Sequence, residues 1–117
     1  MNNLIGKNAI LYRRVSTTDQ KIYGNSLNAQ RDSLRDFCVK NSINIVKEFQ
    51  EDYSAKNFNR PEWKKLNDFA QKNKKSIDYL LVVDWDRFSR NTFEALGVIN
   101  DFKEMHIEVN CIGKWIN

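Results

Sequence analysis

Histidine and cysteine are almost missing from this sequence. Its 117 residues include one histidine, His106, and two cysteines, Cys38 and Cys111. The cysteines form no CxxC pair and lie in apolar patterns, so they read as buried thiols and not as metal ligands or a disulfide. Long apolar runs are missing too, and none approaches the roughly 20 residues that a membrane span needs. The N-terminus lacks the basic-then-apolar order of a signal peptide. The expected location is therefore the cytoplasm, with no membrane partner. Internal repeats are absent, and the only low-complexity run, KNKK from Lys72 to Lys75, reads as a solvated turn.

What is present describes a folded domain. Hydrophobic residues make up 41% of the chain, with three Trp, four Tyr and seven Phe, enough to build a core at this length and too many for a disordered segment. The net charge of +4 only hints at an anionic partner, because many domains that bind nothing carry as much.

Two hydrophobic periods alternate along the chain. Extended runs are predicted at Asn8 to Val15 (NAILYRRV), Ile43 to Phe49 (INIVKEF), Ile77 to Asp84 (IDYLLVVD) and Ile107 to Gly113 (IEVNCIG). Between them the period lengthens to 3.6 residues. Leu27, Leu34, Phe37 and Cys38 share one helical face behind Ser26 as N-cap. Trp63, Leu66, Phe69 and Ala70 share another after Pro61, whose fixed φ suits a first turn. Leu96, Ile99 and Phe102 make a third stripe behind Asn91 or Thr92 as cap. The order βαβαβαβ predicts an α/β three-layer sandwich, a mainly parallel sheet of four to five strands with helices on both faces. The one long loop, roughly Gln50 to Asn59, follows the second strand, where length without pattern suggests a functional segment.

In a parallel sheet every strand's C-terminal end points the same way, and ligands bind at that edge. The first strand delivers Arg14 and Ser16 there, the second Ser54 and Arg60, and the third the run DWDRFSRN, Asp84 to Asn91. Three connections thus converge with a hydroxyl and four arginines. Guanidinium groups keep their charge and present donor forks matched to phosphate oxygens. Several around one nucleophile suit a transition state with charge spread over non-bridging oxygens. The nucleophile is then Ser16 or a neighbouring Thr; without the arginines, STT would read more simply as a cap. A serine-histidine-acid triad is excluded by position, since His106 precedes the fourth strand and belongs at the opposite edge. Gln30 places a polar amide on the buried face of its helix, and it must either find backbone partners or face the site.

Four blocks now read together: YRRVSTTDQ (Tyr12 to Gln20), SLNAQR (Ser26 to Arg31), SAKNFNRPEW (Ser54 to Trp63) and DRFSRN (Asp86 to Asn91). In this order they resemble the N-terminal catalytic domain of the serine site-specific DNA recombinases, the resolvase and invertase family, over nearly the whole chain. The insert between Ser16 and Ser26, and RPEW, are similar to the large serine recombinase branch. The resemblance implies that Ser16 attacks a DNA phosphodiester to give a 5′-phosphoserine intermediate, followed by strand exchange and religation. It implies Arg14, Arg60, Arg87 and Arg90 around the scissile phosphate, Gln30 and Asp86 as further catalytic positions, and Tyr12, Thr17 and Ser54 as supporting ones. It implies no metal and no cofactor, DNA as partner, and a homodimer or tetramer in the full-length protein. Residues 1–117 are then the catalytic domain, expected to be a fragment that is inactive alone.

Two other classes fit parts of the pattern. VVDWD, Val82 to Asp86, places two carboxylates after an apolar strand, as a metal-dependent phosphatase or phosphotransferase would. A non-catalytic anion- or nucleotide-binding module of the same architecture would use the arginines for binding alone.

Overall fold

The computed structural model describes residues 4–15, 27–52 and 60–116. Four strands form one sheet: β1 (Asn8–Val15), β2 (Asn44–Asp52), β3 (Tyr79–Val82) and β4 (Glu108–Cys111). The helices are α1 (Leu27–Lys40), α2 (Pro61–Asn73), the single turn α3 (Trp85–Phe88) and α4 (Thr92–Glu104). A short 3₁₀ turn, Lys74–Ser76, follows α2, so the lysine run is exposed at a helix end, as expected.

All pairings are parallel and the strand order is β2-β1-β3-β4. The first crossover steps one way across the sheet and the next two step the other way, so crossovers of one hand put α1 on one face and α2 and α4 on the other. Packing follows that rule. Ala9 and Leu11 of β1 join Leu34 and Cys38 of α1, while Ile10 and Tyr12 join Trp63, Leu66 and Ala70 of α2 and Phe102 of α4. Trp63 lies at the centre of the second layer, with ring centroids 5.3 Å from Tyr12 and 5.7 Å from both Phe88 and Phe102. The expected three-layer α/β sandwich is the observed one, with four strands among the described residues. Both cysteines are buried free thiols. Burial pushes the Cys38 thiol up to about 11.

Some boundaries differ from the sequence reading, each for a physical reason. β2 runs three residues past Phe49, to Asp52, because Glu51 is buried as part of the strand and not released into a loop. β3 ends at Val82 because the side chain of Asp84 caps α3. β4 is limited to Glu108–Cys111, the residues that pair with β3. On α4 the packed stripe is Ala95, Val98, Ile99 and Phe102, with Leu96 rotated off it and largely exposed.

Glycine is scarce, with four in the chain, and two helices end without it. Ser42 (φ 55°) and His106 (φ 63°) adopt the left-handed conformation after α1 and α4. The amide of Ile43 then bonds the Cys38 carbonyl at 2.8 Å and that of Ile107 the Phe102 carbonyl at 2.9 Å, the closing bonds of a helix C-terminus that glycine usually provides. A side chain at such a position costs about 1 kcal/mol. His106→Gly is therefore expected to raise unfolding free energy by up to about 1 kcal/mol, read from the urea midpoint at unchanged slope. A lower midpoint would contradict this account of the turn.

Candidate active site

The sheet opens at its centre. Pairing between β1 and β3 runs only from Ala9 with Tyr79 to Leu11 with Leu81, and beyond it the strand order reverses direction. This is the switch point where open α/β sheets bind ligands. Arg14 lies at that opening, on the α2 side of β1 by two-residue alternation from Ile10 and Tyr12.

Arg14 is 0% exposed. Its Nε donates to the carbonyl of Arg87 at 3.0 Å and its Nη2 to the carbonyl of Asp86 at 3.1 Å. A guanidinium out of water needs such acceptors, because an uncompensated buried charge costs several kcal/mol. The carbonyls are held in place by α3, whose N-cap Asp84 accepts the Arg87 N–H at 3.1 Å and whose C-cap Ser89 N–H bonds the Trp85 carbonyl at 2.8 Å. Beyond it, Asn91 N–H bonds Ser89 Oγ at 3.0 Å, and the Asn91 side chain caps α4 at Glu94 N–H. Arg90 sits between these two fixed residues and is exposed, whereas Arg87 is buried.

Gln30 faces the same opening from α1. Its Oε1 accepts the backbone N–H of Arg14 at 3.2 Å and its Nε2 donates to the Arg14 carbonyl at 2.8 Å. The carboxamide thus stands in for the strand neighbour that β3 no longer provides. Of the two readings left open by the sequence, backbone pairing is observed, and it takes place at the opening itself.

On the other side of Arg14, Glu51 of β2 is its register partner. Glu51 is 3% exposed. It accepts from Tyr12 Oη at 3.2 Å, from Trp63 N–H at 2.8 Å and from Glu62 N–H at 3.1 Å, so it caps α2 from a distance. Arg60, fully buried at the N-cap of α2, has no side-chain cap bond of its own; its Nη1 donates to Tyr12 Oη at 3.1 Å. Burial, against the opposing pull of Arg60, pushes the Tyr12 phenol far above its ordinary range. The hydroxyl therefore stays protonated and donates to Glu51 while it accepts from Arg60.

Arg14 and Arg60 thus bury two guanidinium groups on the α2 side of the sheet, Arg87 is buried in the α3 turn whose carbonyls hold Arg14, and Glu51 is the buried acidic residue among the described residues. Arg13 points to the α1 side and pairs with Glu48 at 2.7 Å. Burial alone would raise Glu48, but hydrogen bonds from Arg35 and Arg13 outweigh it and hold the carboxyl below its ordinary range. Asp86 contributes its carbonyl and has an exposed side chain. Asp84 caps α3 while Asp86 is exposed, so the two carboxylates of VVDWD have different surroundings. Ser16, Thr17 and Ser54 lie outside the described residues. Glu51 and Ser89 were not singled out from the sequence. The signal for Glu51 was its two-residue alternation from Phe49 onto the buried face.

A doubly wound α/β domain with buried arginines at its switch point is the frame of a phosphate-handling enzyme. The description "Resolvase, N terminal domain" matches residues 9–115, and the chain belongs to that family, the recombinases that cleave and rejoin DNA. The chain is similar to the N-terminal catalytic domain of TP901-1 integrase, with 25% identity and a TM-score of 0.83 over 94% of this chain and 80% of that one. It is also similar to the C-terminal catalytic domain of ISC1926 TnpA, an IS607-like serine recombinase, with 26% identity and a TM-score of 0.76 over 90% and 67%. A resolvase family site-specific recombinase from Streptococcus pneumoniae shares the fold, with 24% identity and a TM-score of 0.78 over 94% and 74%. Among curated proteins, none matches significantly.

Removing the Gln30 amide strands two buried backbone groups. Gln30→Ala is expected to lower stability by about 1–3 kcal/mol, measured by chemical unfolding. A change below about 0.5 kcal/mol, the scale of a neutral surface substitution, would contradict the pairing with Arg14.

Proposed function

We propose that this domain performs site-specific DNA recombination with Ser16 as its nucleophile, and that Arg14, Arg60, Arg87 and Arg90 hold the scissile phosphate. The hydroxyl oxygen of Ser16 forms a bond to phosphorus as the bond from phosphorus to the 3′ oxygen breaks. The serine proton is transferred overall to the departing 3′ oxygen. The product is a 5′-phosphoserine and a free 3′-hydroxyl, and reversal onto a new 3′-hydroxyl rejoins the strand. No external energy is needed, because the phosphoester persists in the covalent intermediate.

The observation that carries this reading is the burial of Arg14, Arg60 and Arg87, with Arg14 held by the carbonyls of the α3 turn and Arg60 by the Tyr12 hydroxyl. Guanidinium groups held in this way suit an anion whose negative charge grows on non-bridging oxygens, and donors fixed before the substrate arrives need no reorganisation during reaction. Arg14 is pre-aimed by carbonyls, Gln30 supports it through the backbone, and Tyr12 supports Arg60. Asp86 is assigned a further catalytic position, and Thr17 and Ser54 supporting places, by the motifs in which they stand.

DNA is the partner that the family acts on. Residues 1–117 serve as one catalytic domain, and the complete protein works as a homodimer or tetramer, because exchange joins ends from two duplexes. A cytoplasmic location agrees with the buried free thiols and with the absence, among the described residues, of any helix long and apolar enough to cross a membrane.

In the complete protein, Ser16→Ala is expected to retain DNA binding and lose the covalent protein–DNA adduct on a denaturing gel. Persistence of the adduct would overturn the assignment. Arg87→Lys keeps charge but loses the planar fork, so adduct formation should fall by at least about tenfold while DNA affinity changes by less than about threefold. Equal losses would assign Arg87 to binding alone.

A further inference from the structure

We infer that Asp84 is a positioning residue for catalysis, acting on Arg14 through the single turn of α3. This rests on the reading that Arg14 holds the scissile phosphate, and goes beyond it by giving a part in the reaction to a side chain outside the four blocks of family resemblance.

A helix of four residues has little of its own to hold it, because a first turn fixes several backbone dihedrals for one hydrogen bond. What meets its two ends therefore sets α3. Its last carbonyls have no partner within the helix, and those of Arg87 and Asp86 accept from the Arg14 guanidinium at 3.0 and 3.1 Å. At the other end Asp84 has the extended backbone of an N-cap (φ −150°, ψ 167°), and its Oδ1 accepts the Arg87 N–H at 3.1 Å.

These contacts meet on one chemical group. The peptide unit that joins Asp86 to Arg87 gives its N–H to Asp84 and its C=O to Arg14 Nη2. Such a unit is planar and trans, with N–H and C=O pointing opposite ways, so fixing the N–H fixes the carbonyl. The backbone carbonyl of Asp84 shares the same N–H at 3.1 Å; with the side-chain oxygen removed, the plane is free to tilt towards that remaining acceptor and to carry the Arg14 contact with it. Asp84 itself is anchored by the strand end behind it. The Val83 carbonyl accepts from the Gly113 N–H at 3.1 Å and from the Cys111 thiol at 2.9 Å, and a Cβ on Gly113 would lie 3.0 Å from that oxygen. The turn after β4 is thus closed tightly over the residue that precedes the cap.

The test uses the complete protein as wild type, Asp84→Ala, Asp84→Asn and Asp84→Ser. The last two keep an N-cap acceptor and the first removes it. The readouts are DNA affinity and the single-turnover rate of adduct formation at saturating DNA, corrected for folded fraction by near-ultraviolet circular dichroism. Asp84→Ala should slow adduct formation by about tenfold or more with affinity within about threefold, and at least one of the cap-keeping variants should return the rate to within about threefold of wild type. A cap that serves folding alone would leave the corrected rate of Asp84→Ala at the wild-type value, and that result would overturn the inference. Rates in Asp84→Asn and Asp84→Ser as low as in Asp84→Ala would also overturn it, since the reaction would then use the charge and not the cap. Should Asp84→Ala not fold, Asp84→Gly decides by the same criterion, because glycine suits an N-cap backbone and brings no side-chain oxygen. A wild-type protein that forms no adduct would overturn the recombinase reading itself, and this inference with it.

Discussion

The grip of two backbone carbonyls on the Arg14 guanidinium is the contact on which the site depends. Arg14 is the end of the central strand and the carbonyls belong to residues 86 and 87, more than seventy positions later. A charge with no exposure to water must be compensated inside the protein or it destabilises the fold. Here peptide dipoles supply part of that compensation. The same contact docks the turn of α3 against β1, and with it the positions of Arg87 and Arg90.

Around this contact, polar side chains replace backbone partners that the architecture cannot supply. Where β1 and β3 part, Gln30 fills the place of a strand neighbour. Where α2 begins with exposed amides, Glu51 reaches over from β2 to accept them. Gln30 does so at the switch point itself, and Glu51 one strand away at the same C-terminal edge of the sheet. Polar groups that the fold needs are thus the ones that frame the site.

That pattern explains which parts could be read in advance. The bounds of β1 follow from its apolar run that then turns mixed, and those of α2 from Pro61 and the stripe Trp63, Leu66 and Ala70. The arginines were visible because the motif spacing placed them at strand ends. Glu51 was not visible, since a charged residue after Phe49 ordinarily marks the end of a strand, and only the Tyr12 hydroxyl and the α2 amides make its burial favourable. The short helix α3 was hidden for a similar reason: four residues show no period, and its cap Asp84 reads as a strand residue. On α4, Leu96 sits about 100° from Ala95, and choosing between them required knowing where the sheet lies. Ser16, Thr17 and Ser54 stand outside the described residues, so Ser16 is proposed as the nucleophile from its motif alone.

On this reading the arginine frame is assembled by the protein before any substrate binds. A crystal structure of the domain with tungstate or vanadate, oxyanions that stand in for a phosphate, tests it most directly. The account predicts the anion at the opening between β1 and β3, with Arg14 still bonded to the carbonyls of Asp86 and Arg87 and Arg60 still bonded to Tyr12. An anion bound elsewhere, or an Arg14 that has left those carbonyls to reach it, would contradict the account.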